Sequence, residues 1–300
     1  MRYLKPLTSI LADIRIAMSL STILPVGPAK QIENGEVARA SWALPIAGLM
    51  VGFTGAIIYA IAHRVGVPAG AAAVLALAAT ILVTGALHED GLADTLDGLG
   101  GGKSREQKLE IMRDSRIGSY GACALILSIT LRWNALAAMA EPMAVTAALL
   151  VAHAAARAAL PAFMSLVRPA RSDGLSAGAG QPPAQSAIIA ASLGILCLGV
   201  GFGPGRAIMA VILLSVSALI WGFIATRQIG GQTGDILGAL EQAGEIEAAG
   251  GQDGFDDQRA DPDSMLGARA CGSSQTCRDP CCGEDERKLP DRVQQIGDDP

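Results

Sequence analysis

The sequence predicts an all-α, polytopic membrane protein with about six transmembrane helices and a disordered polar C-terminal tail. Composition is the first observation behind this: 51% of the residues are hydrophobic, only 17% are charged, and the mean hydropathy is +0.39. A soluble chain of this length needs a larger charged surface than that. The second observation is a series of six long apolar runs, each able to cross a bilayer core of about 30 Å.

The six runs are separated by short polar or glycine-containing breaks. They lie at residues 42–62, 67–87, 120–140, 143–166, 186–204 and 206–226. Ahead of them, Met1–Pro25 is moderately apolar but is interrupted by Asp13 and Arg15. We expect this segment to lie at the membrane interface as an amphipathic or re-entrant helix rather than to be a cleaved signal peptide.

Basic residues are concentrated in alternate loops of this arrangement. The segment before the first run, the loop at 103–116, and the positions after the fourth and sixth runs carry most of the arginine and lysine. A cytoplasmic N-terminus places all of these on the cytoplasmic side. We therefore expect a multi-pass protein of the cell inner membrane, with the polar segments at 88–98, 103–116 and 230–235 together on its cytoplasmic face.

The acidic segment at 88–98 is the strongest chemical feature. On a helix, Asp90, Asp94 and Asp97 share one face, where their carboxylates repel one another unless a cation bridges them. Oxygen ligands at this density suit Mg²⁺ or Mn²⁺. His88 and Glu89 adjoin the cluster as outer ligands or as a general base. The alternative is a solvated acidic loop at a helix end.

Two arginines flank an aspartate in the next polar segment. Arg113 and Arg116 can hold a pyrophosphate through paired hydrogen bonds, while Asp114 adds a metal ligand. The alternative is that these arginines only mark the cytoplasmic side. The glycines at 100–102 lack the spacing of a phosphate-binding loop, and we interpret them as a flexible linker.

Several polar residues lie inside or beside the apolar runs. Arg132, His153 and Arg157 need a polar cavity or an acidic partner, although a purely structural ion pair remains open. Gly230–Asp235 is a glycine-rich turn that can approach a phosphate or a base closely.

Three segments together carry a family resemblance: HEDGLADTLDG at 88–98, EIMRDSRIGSYG at 110–121 and GGQTGDILGALEQAGE at 230–245. They closely resemble the cobalamin synthase family, CobS, also named adenosylcobinamide-GDP ribazoletransferase, over about Ser19 to Ile246. The resemblance implies an enzyme of nucleotide loop assembly in cobalamin (vitamin B12) biosynthesis. Such an enzyme uses Mg²⁺ to join adenosylcobinamide-GDP to α-ribazole or its 5′-phosphate, and releases GMP.

The residues divide into three predicted roles under this resemblance. The metal ligands are Asp90, Asp94, Asp97 and Asp114; the catalytic residues are His88, Glu89, Arg113 and Arg116; and the substrate-binding residues are His153, Arg157, Gln232 and Asp235. The expected partners are the two small-molecule substrates and the lipid bilayer, with no nucleic acid. A homo-oligomer or an association with other cobalamin-assembly enzymes is also expected.

The C-terminal part departs from the family pattern. We divide the chain into an integral-membrane transferase domain at 1–246 and a polar tail at 247–300, which has 13 acidic and 6 basic residues. The family predicts another apolar span after Ile246. We hypothesise that the reading frame shifts near this residue, and the composition of the tail predicts disorder.

Two other functions remain as alternatives. The Asp94-x-x-Asp97-Gly98 core is similar to that of the CDP-alcohol phosphotransferases, although their longer motif is not matched. A transporter would use the charged residues inside the spans, but it predicts internal repeats, and the sequence has no self-similar halves.

Overall fold

The computed structural model describes residues 7–27 and 35–250, and within these ranges it contains helices and no strand. The predicted all-α class is therefore confirmed. The α-helices are α1 (Leu7–Ser21), α2 (Glu36–Ala40), α3 (Leu44–Arg64), α4 (Ala69–Thr84), α5 (Leu87–Gly101), α6 (Arg105–Ile111), α7 (Ser119–Met139), α8 (Pro142–Leu166), α9 (Leu175–Ala179), α10 (Ala184–Phe202), α11 (Pro204–Ile229) and α12 (Gly234–Gly250). A 3-10 turn at Ser41–Ala43 joins α2 to α3.

Five helical stretches are long and apolar enough to cross a membrane. They are Glu36–Arg64, Ser119–Met139, Pro142–Leu166, Ala184–Phe202 and Pro204–Ile229. A sixth crossing results if α4 and α5 are counted as one bent span. The prediction of about six transmembrane helices is confirmed, and five of the predicted runs coincide with these helices to within a few residues.

The second predicted span, at 67–87, differs from the structure. Its helix α4 ends at Thr84 after 16 residues, and α5 continues at 86° to it. Gly85 and Ala86 both adopt left-handed backbone conformations, with φ of 64° and 57°. Two such residues in succession cannot continue a right-handed helix, so the apolar run is broken before the acidic segment starts. We treat α5 as lying outside the membrane-spanning helices, because its sequence is strongly acidic.

Helix α8 forms the centre of the bundle, and most of its side chains are buried. Glycines allow α3 to approach it closely. A Cβ atom at Gly48 would clash with the carbonyl oxygen of His153, and one at Gly52 would clash with that of Leu149. Close contact between backbones through small residues is the usual way in which membrane helices associate.

Helix α12 is also an interior helix, and it packs against α5, α7, α8 and α11. A Cβ at Gly91 of α5 would lie 3.1 Å from the Cα of Gly238, so the two helices cross at a pair of glycines. Helix α12 continues past the predicted domain boundary at Ile246, to Gly250. The predictions of a disordered tail and a shifted frame concern a segment that, from residue 251 onwards, lies outside the described residues.

The predicted flexible linker at 100–102 is wrong for its first two glycines. Gly100 and Gly101 belong to the last turn of α5. A Cβ at Gly100 would lie 2.7 Å from the ring of Tyr120, so this glycine allows α7 to start directly against α5. Close packing, and not flexibility, accounts for the glycine here.

Candidate active site

Helix α5 has two faces with opposite surroundings. His88 and Glu89 point into the bundle and are each only 7% exposed. Asp90 is exposed and Asp94 is half-buried on the other face. Because the bend after α4 turns α5 across the end of the bundle, one face meets the buried helices and the other meets solvent.

The carboxylate of Asp94 lies in a strongly acidic environment. Burial, followed by the negative charges of Asp90, Asp235, Asp97 and Asp114, raises its pKa to about 7. Each added negative charge makes ionisation of Asp94 more costly. A bound cation would remove this cost, and a set of carboxylate oxygens is the ligand type that a hard divalent cation such as Mg²⁺ prefers. The donor chemistry of these residues therefore fits the predicted metal.

Asp97 lies on the same side of α5 but is covered by the start of α7. Its two carboxylate oxygens accept hydrogen bonds from the backbone N–H groups of Gly118, at 2.7 Å, and Gly121, at 2.9 Å. These N–H groups lie in and next to the first turn of α7, where no backbone acceptor is available to them. Asp97 thus fixes α7 against α5, and metal binding by its remaining lone pairs stays a prediction.

The arginine segment after α6 lies at the surface. Arg116 donates to the carboxylate of Asp114, with a shortest distance of 2.5 Å. These hydrogen bonds lower the pKa of Asp114. Arg113 donates to both oxygens of Asp173, at 2.5 and 2.7 Å. Both guanidinium groups remain largely accessible, so they can exchange these surface carboxylates for the phosphates of a ligand.

The turn between α11 and α12 is held in place by a short backbone pairing. The N–H of Gln232 donates to the carbonyl of Arg168, and the N–H of Ala170 donates to that of Gln232, both at 2.8 Å. Arg105 reinforces the pairing by donating to the carbonyls of Ile229, at 2.8 Å, and Ala170, at 2.6 Å. These hydrogen bonds anchor the turn to the segment that follows α8 and to the start of α6.

This turn places Asp235 at the beginning of α12, beside the crossing with α5. Its side chain accepts a hydrogen bond from the hydroxyl of Thr233 at 3.1 Å, and Arg171 lies 3.6 Å away. Burial raises the pKa of Asp235. The sequence predicted a substrate-binding role for this residue. The structure adds that its charge acts on Asp94, which makes it a further candidate metal ligand. The glycines Gly91 and Gly238, which allow α5 and α12 to pack closely, are the one sequence feature that could have indicated that Asp235 lies near Asp94.

The inner face of α5 belongs to a separate network of buried charges. Arg132 donates to Glu245 at 2.7 Å and to Glu89 at 3.2 Å. Arg157 lies 2.5 Å from Glu241 and 3.2 Å from Glu245. The expectation that these buried arginines have acidic partners is confirmed.

Amide, hydroxyl and imidazole side chains complete this buried network. The amide of Gln242 donates to Glu89 at 3.3 Å and to Glu241 at 3.2 Å, and it accepts a hydrogen bond from the hydroxyl of Ser128 at 3.1 Å. His153 pairs with Glu245. The acidic members Glu241 and Glu245 come from α12 and were not identified from the sequence, because more than 80 residues separate them from their partners in α7 and α8.

The structure thus divides the predicted site residues between two places. Asp90, Asp94, Asp97, Asp114, Arg113, Arg116, Gln232 and Asp235 lie on the outer side, whereas His88, Glu89, His153 and Arg157 lie in the buried network. His153, Glu241 and Glu245 are close enough together to hold an ion. Arg132 and Arg157 already form ion pairs with both of these carboxylates, however. The catalytic and substrate-binding roles of the buried residues stay predictions.

The fold and the outer site together define a class of protein: a multi-pass membrane protein with a carboxylate cluster and surface arginines at one end of its helices, suited to phosphate-linked substrates. Comparison with known proteins identifies the family. The sequence model of the CobS family, described as cobalamin-5-phosphate synthase, matches residues 13–250. The chain belongs to this family, as its three motifs indicated.

Individual relatives agree with this assignment. The chain is 63% identical over 238 residues to the adenosylcobinamide-GDP ribazoletransferase of Bradyrhizobium diazoefficiens, which covers 79% of this chain and 92% of the relative. It is 52% identical to the protein of the same name from Mesorhizobium japonicum, over 79% of this chain and 91% of the relative. No solved structure matches the chain.

Proposed function

We propose that this protein is an adenosylcobinamide-GDP ribazoletransferase, which joins adenosylcobinamide-GDP to α-ribazole or its 5′-phosphate and releases GMP. Membership of the CobS family and the names of relatives up to 63% identical support the reaction. The structural observation that carries the proposal is the environment of Asp94, whose pKa is raised to about 7 among other carboxylates on a solvent-facing helix.

Asp90, Asp94 and Asp235 would hold Mg²⁺, with Asp114 at the edge of the site. The bound ion would supply charge neutralisation for the pyrophosphate. The three aspartates come from two helices that cross at Gly91 and Gly238. Their spacing is therefore set by helix packing and not by a loop, which favours a preorganised set of ligands.

Arg113 and Arg116 would bind the pyrophosphate from the opposite side. In the transfer, a ribazole hydroxyl oxygen bonds to the phosphorus on the cobinamide side, and the bond from that phosphorus to the GMP oxygen breaks. The hydroxyl proton is lost to a base, and negative charge builds on the departing GMP. Guanidinium groups placed beside this charge stabilise the transition state more than the ground state.

We further propose that the outer site faces the cytoplasm across the cell inner membrane, because the basic loops of the chain fall on that side. Soluble nucleotide-linked substrates would then reach it without crossing the bilayer. Any association with further copies or with other cobalamin-assembly enzymes is part of the same proposal and is expected to leave this face open.

The test is release of GMP by the purified full chain supplied with adenosylcobinamide-GDP, α-ribazole and Mg²⁺. We expect GMP to form only when all three are present. The variant Glu106→Gln, which removes an exposed carboxylate on α6, is the matched control and should retain activity. Failure of the wild-type chain to release GMP would overturn the proposed reaction. Formation of a phospholipid from a CDP-alcohol would support the alternative phosphotransferase.

A further inference from the structure

A large cavity lies between three of the membrane-spanning helices. Its floor is formed by α8, and its walls are formed by α10 and α11. Its volume is about 940 Å³, at the upper end of the range of about 300–1,000 Å³ found for ligand pockets. Among the described residues, none that belongs to the outer site or to the buried charge network lines it. The functions of those two sites therefore do not account for this cavity.

Small residues on one face of α8 create this space. Those that line the cavity are Ala155, Ala158, Ala159 and Ala162. Gly194 of α10 packs tightly on this face, since a Cβ atom there would lie 2.5 Å from the Cβ of Ala158. Gly222 of α11 has more room, because a Cβ atom there would lie 3.4 Å from Cγ2 of Val167, at an ordinary contact distance. The cavity is therefore the gap that α11 leaves beside α8.

The cavity is closed at one end and open at the other. Near the turn between α10 and α11, Leu198 and Leu214 line the cavity and belong to a buried apolar cluster that closes it. At the opposite end, the lining residues Leu166 and Phe223 are 82% and 64% exposed. From Leu214 to Arg227 at this open end, α11 lines the cavity over about 20 Å. One leaflet of a bilayer core is about 15 Å thick, so an acyl chain that enters at the open end fits within the cavity.

The open end of the cavity carries positive charge. Arg227 lines it, and the guanidinium carbon of this residue lies 5.7 Å from the centre of the Phe223 ring. Arg168 is exposed and directly follows Val167, which lines the same end. Within residues 7–27 and 35–250, neither arginine forms an ion pair with a carboxylate, in contrast to the arginines of the outer site. Arginines beside a bilayer attract anionic lipid headgroups.

We propose that this cavity binds one acyl chain of an anionic phospholipid from the surrounding bilayer, with the headgroup phosphate held by Arg227. The apolar lining suits a hydrocarbon chain, and the hydroxyl of Thr226 at the same end is a second donor for the phosphate. The segment of this chain after residue 250 is polar and acidic, so its burial in an apolar cavity would be costly. The inference is independent of the proposed reaction, because the cavity lies outside both charged sites.

Native mass spectrometry of the purified full chain in detergent tests this directly. Dioleoyl-phosphatidylglycerol and dioleoyl-phosphatidylcholine are the probes, because they share their acyl chains and differ in the charge of the headgroup. We expect one tightly bound phosphatidylglycerol, with an affinity about tenfold higher than that of phosphatidylcholine, whose ammonium group offsets the charge of its phosphate. Equal affinities for the two lipids, or no retained lipid, would overturn the inference.

Two variants separate the headgroup from the acyl chain. Arg227→Met keeps an apolar stem but removes the charge, so the affinity for phosphatidylglycerol should fall to that for phosphatidylcholine. Arg64→Met, at the exposed end of α3, is its matched control. Gly222→Leu fills the cavity and should weaken both lipids about tenfold. Gly199→Leu, on α10 where an added Cβ meets open space, is the second control. Unchanged lipid binding in both Arg227→Met and Gly222→Leu would contradict the assignment.

The same spectra distinguish the lipid from a second copy of this chain as the occupant. A monomer that retains phosphatidylglycerol supports the lipid. A dimer without bound lipid, lost in Gly222→Leu but kept in Gly199→Leu, would overturn the inference in favour of self-association through the cavity. Thermal unfolding in detergent without added lipid checks that Gly222→Leu is folded, and its Tm should not fall below that of the wild-type chain, because the added side chain fills empty space.

Discussion

The two faces of α5 carry charges that are adjacent in sequence but differ in what surrounds them. Glu89 lies within hydrogen-bond reach of Arg132 and Gln242 in the bundle interior. Asp90, the next residue, is exposed beside Asp94. On the inner face each negative charge has a positive partner, whereas on the outer face carboxylates accumulate. The first arrangement holds helices together, and we propose that the second holds a divalent cation.

The largest effect is expected from breaking the buried network. Arg157→Met leaves Glu241 and Glu245 without their guanidinium partner, and removing one member of a buried ion pair costs about 3–5 kcal/mol of stability. Thermal unfolding in detergent should show a large fall in Tm. Arg64→Met, at the exposed end of α3, is the matched control, and equal Tm values for the two variants would refute a structural role for the network.

A substitution on the outer face of α5 should have the opposite effect, lowering turnover without lowering stability. Asp94→Asn removes a charge from a repelling cluster, so the fold should be unaffected or slightly stabilised. Turnover should fall by about a hundredfold or more, because a metal ligand for the pyrophosphate is lost. GMP release and Tm measured on the same preparation check both parts. A fall in Tm comparable to that of Arg157→Met would show that Asp94 is structural.

Substitution of a surface arginine should have a smaller effect, and it should change activity without changing stability. Arg116→Ala should reduce kcat/KM by about tenfold, since a charged hydrogen bond to the pyrophosphate is lost. Its Tm should not change, because the side chain is largely exposed and its ion pair with Asp114, the one partner among the described residues, lies at the surface. Steady-state kinetics with varied adenosylcobinamide-GDP make the comparison. Unchanged kcat/KM would mean that Arg116 does not bind the pyrophosphate.

The pH dependence of the apparent Mg²⁺ affinity tests whether Asp94, on the outer face of α5, binds the ion. The pKa of Asp94 is raised from 3.8 to about 7 in the absence of a cation. Below pH 7 the carboxylate is protonated, so protons compete with Mg²⁺, whereas above pH 8 it is ionised and free to bind. The apparent Mg²⁺ affinity should therefore weaken up to about tenfold per pH unit below pH 7. Mg²⁺ titrations of GMP release at several pH values measure this affinity. The residual activity of Asp94→Asn should show no such pH dependence.

Much of the fold was predictable because membrane helices are long and apolar. The bend between α4 and α5 was not, since Gly85 and Ala86 continue an apolar run and nothing local excludes a straight helix. The acidic cluster was predicted from the spacing of Asp90, Asp94 and Asp97. That spacing did not indicate that the start of α7 covers Asp97, because such contacts depend on how distant helices pack.

The division of the charged residues was the least predictable part. His88 and Glu89 were grouped with the aspartates because they are neighbours in sequence. Their orientation is set by the angle at which α5 meets α7, α8 and α12. The partners Glu241 and Glu245 were overlooked for the same reason, since an acidic residue in a C-terminal helix shows no local sign of an arginine in a span far earlier in the chain.

The most direct test compares Asp94→Asn with Glu89→Gln, measuring GMP release per folded molecule at saturating Mg²⁺ and substrates. We expect Asp94→Asn to be folded but nearly inactive, and Glu89→Gln to have a lower Tm but to retain turnover in its folded fraction. Loss of turnover in folded Glu89→Gln, or normal turnover in Asp94→Asn, would contradict the assignment of chemistry to the outer face of α5.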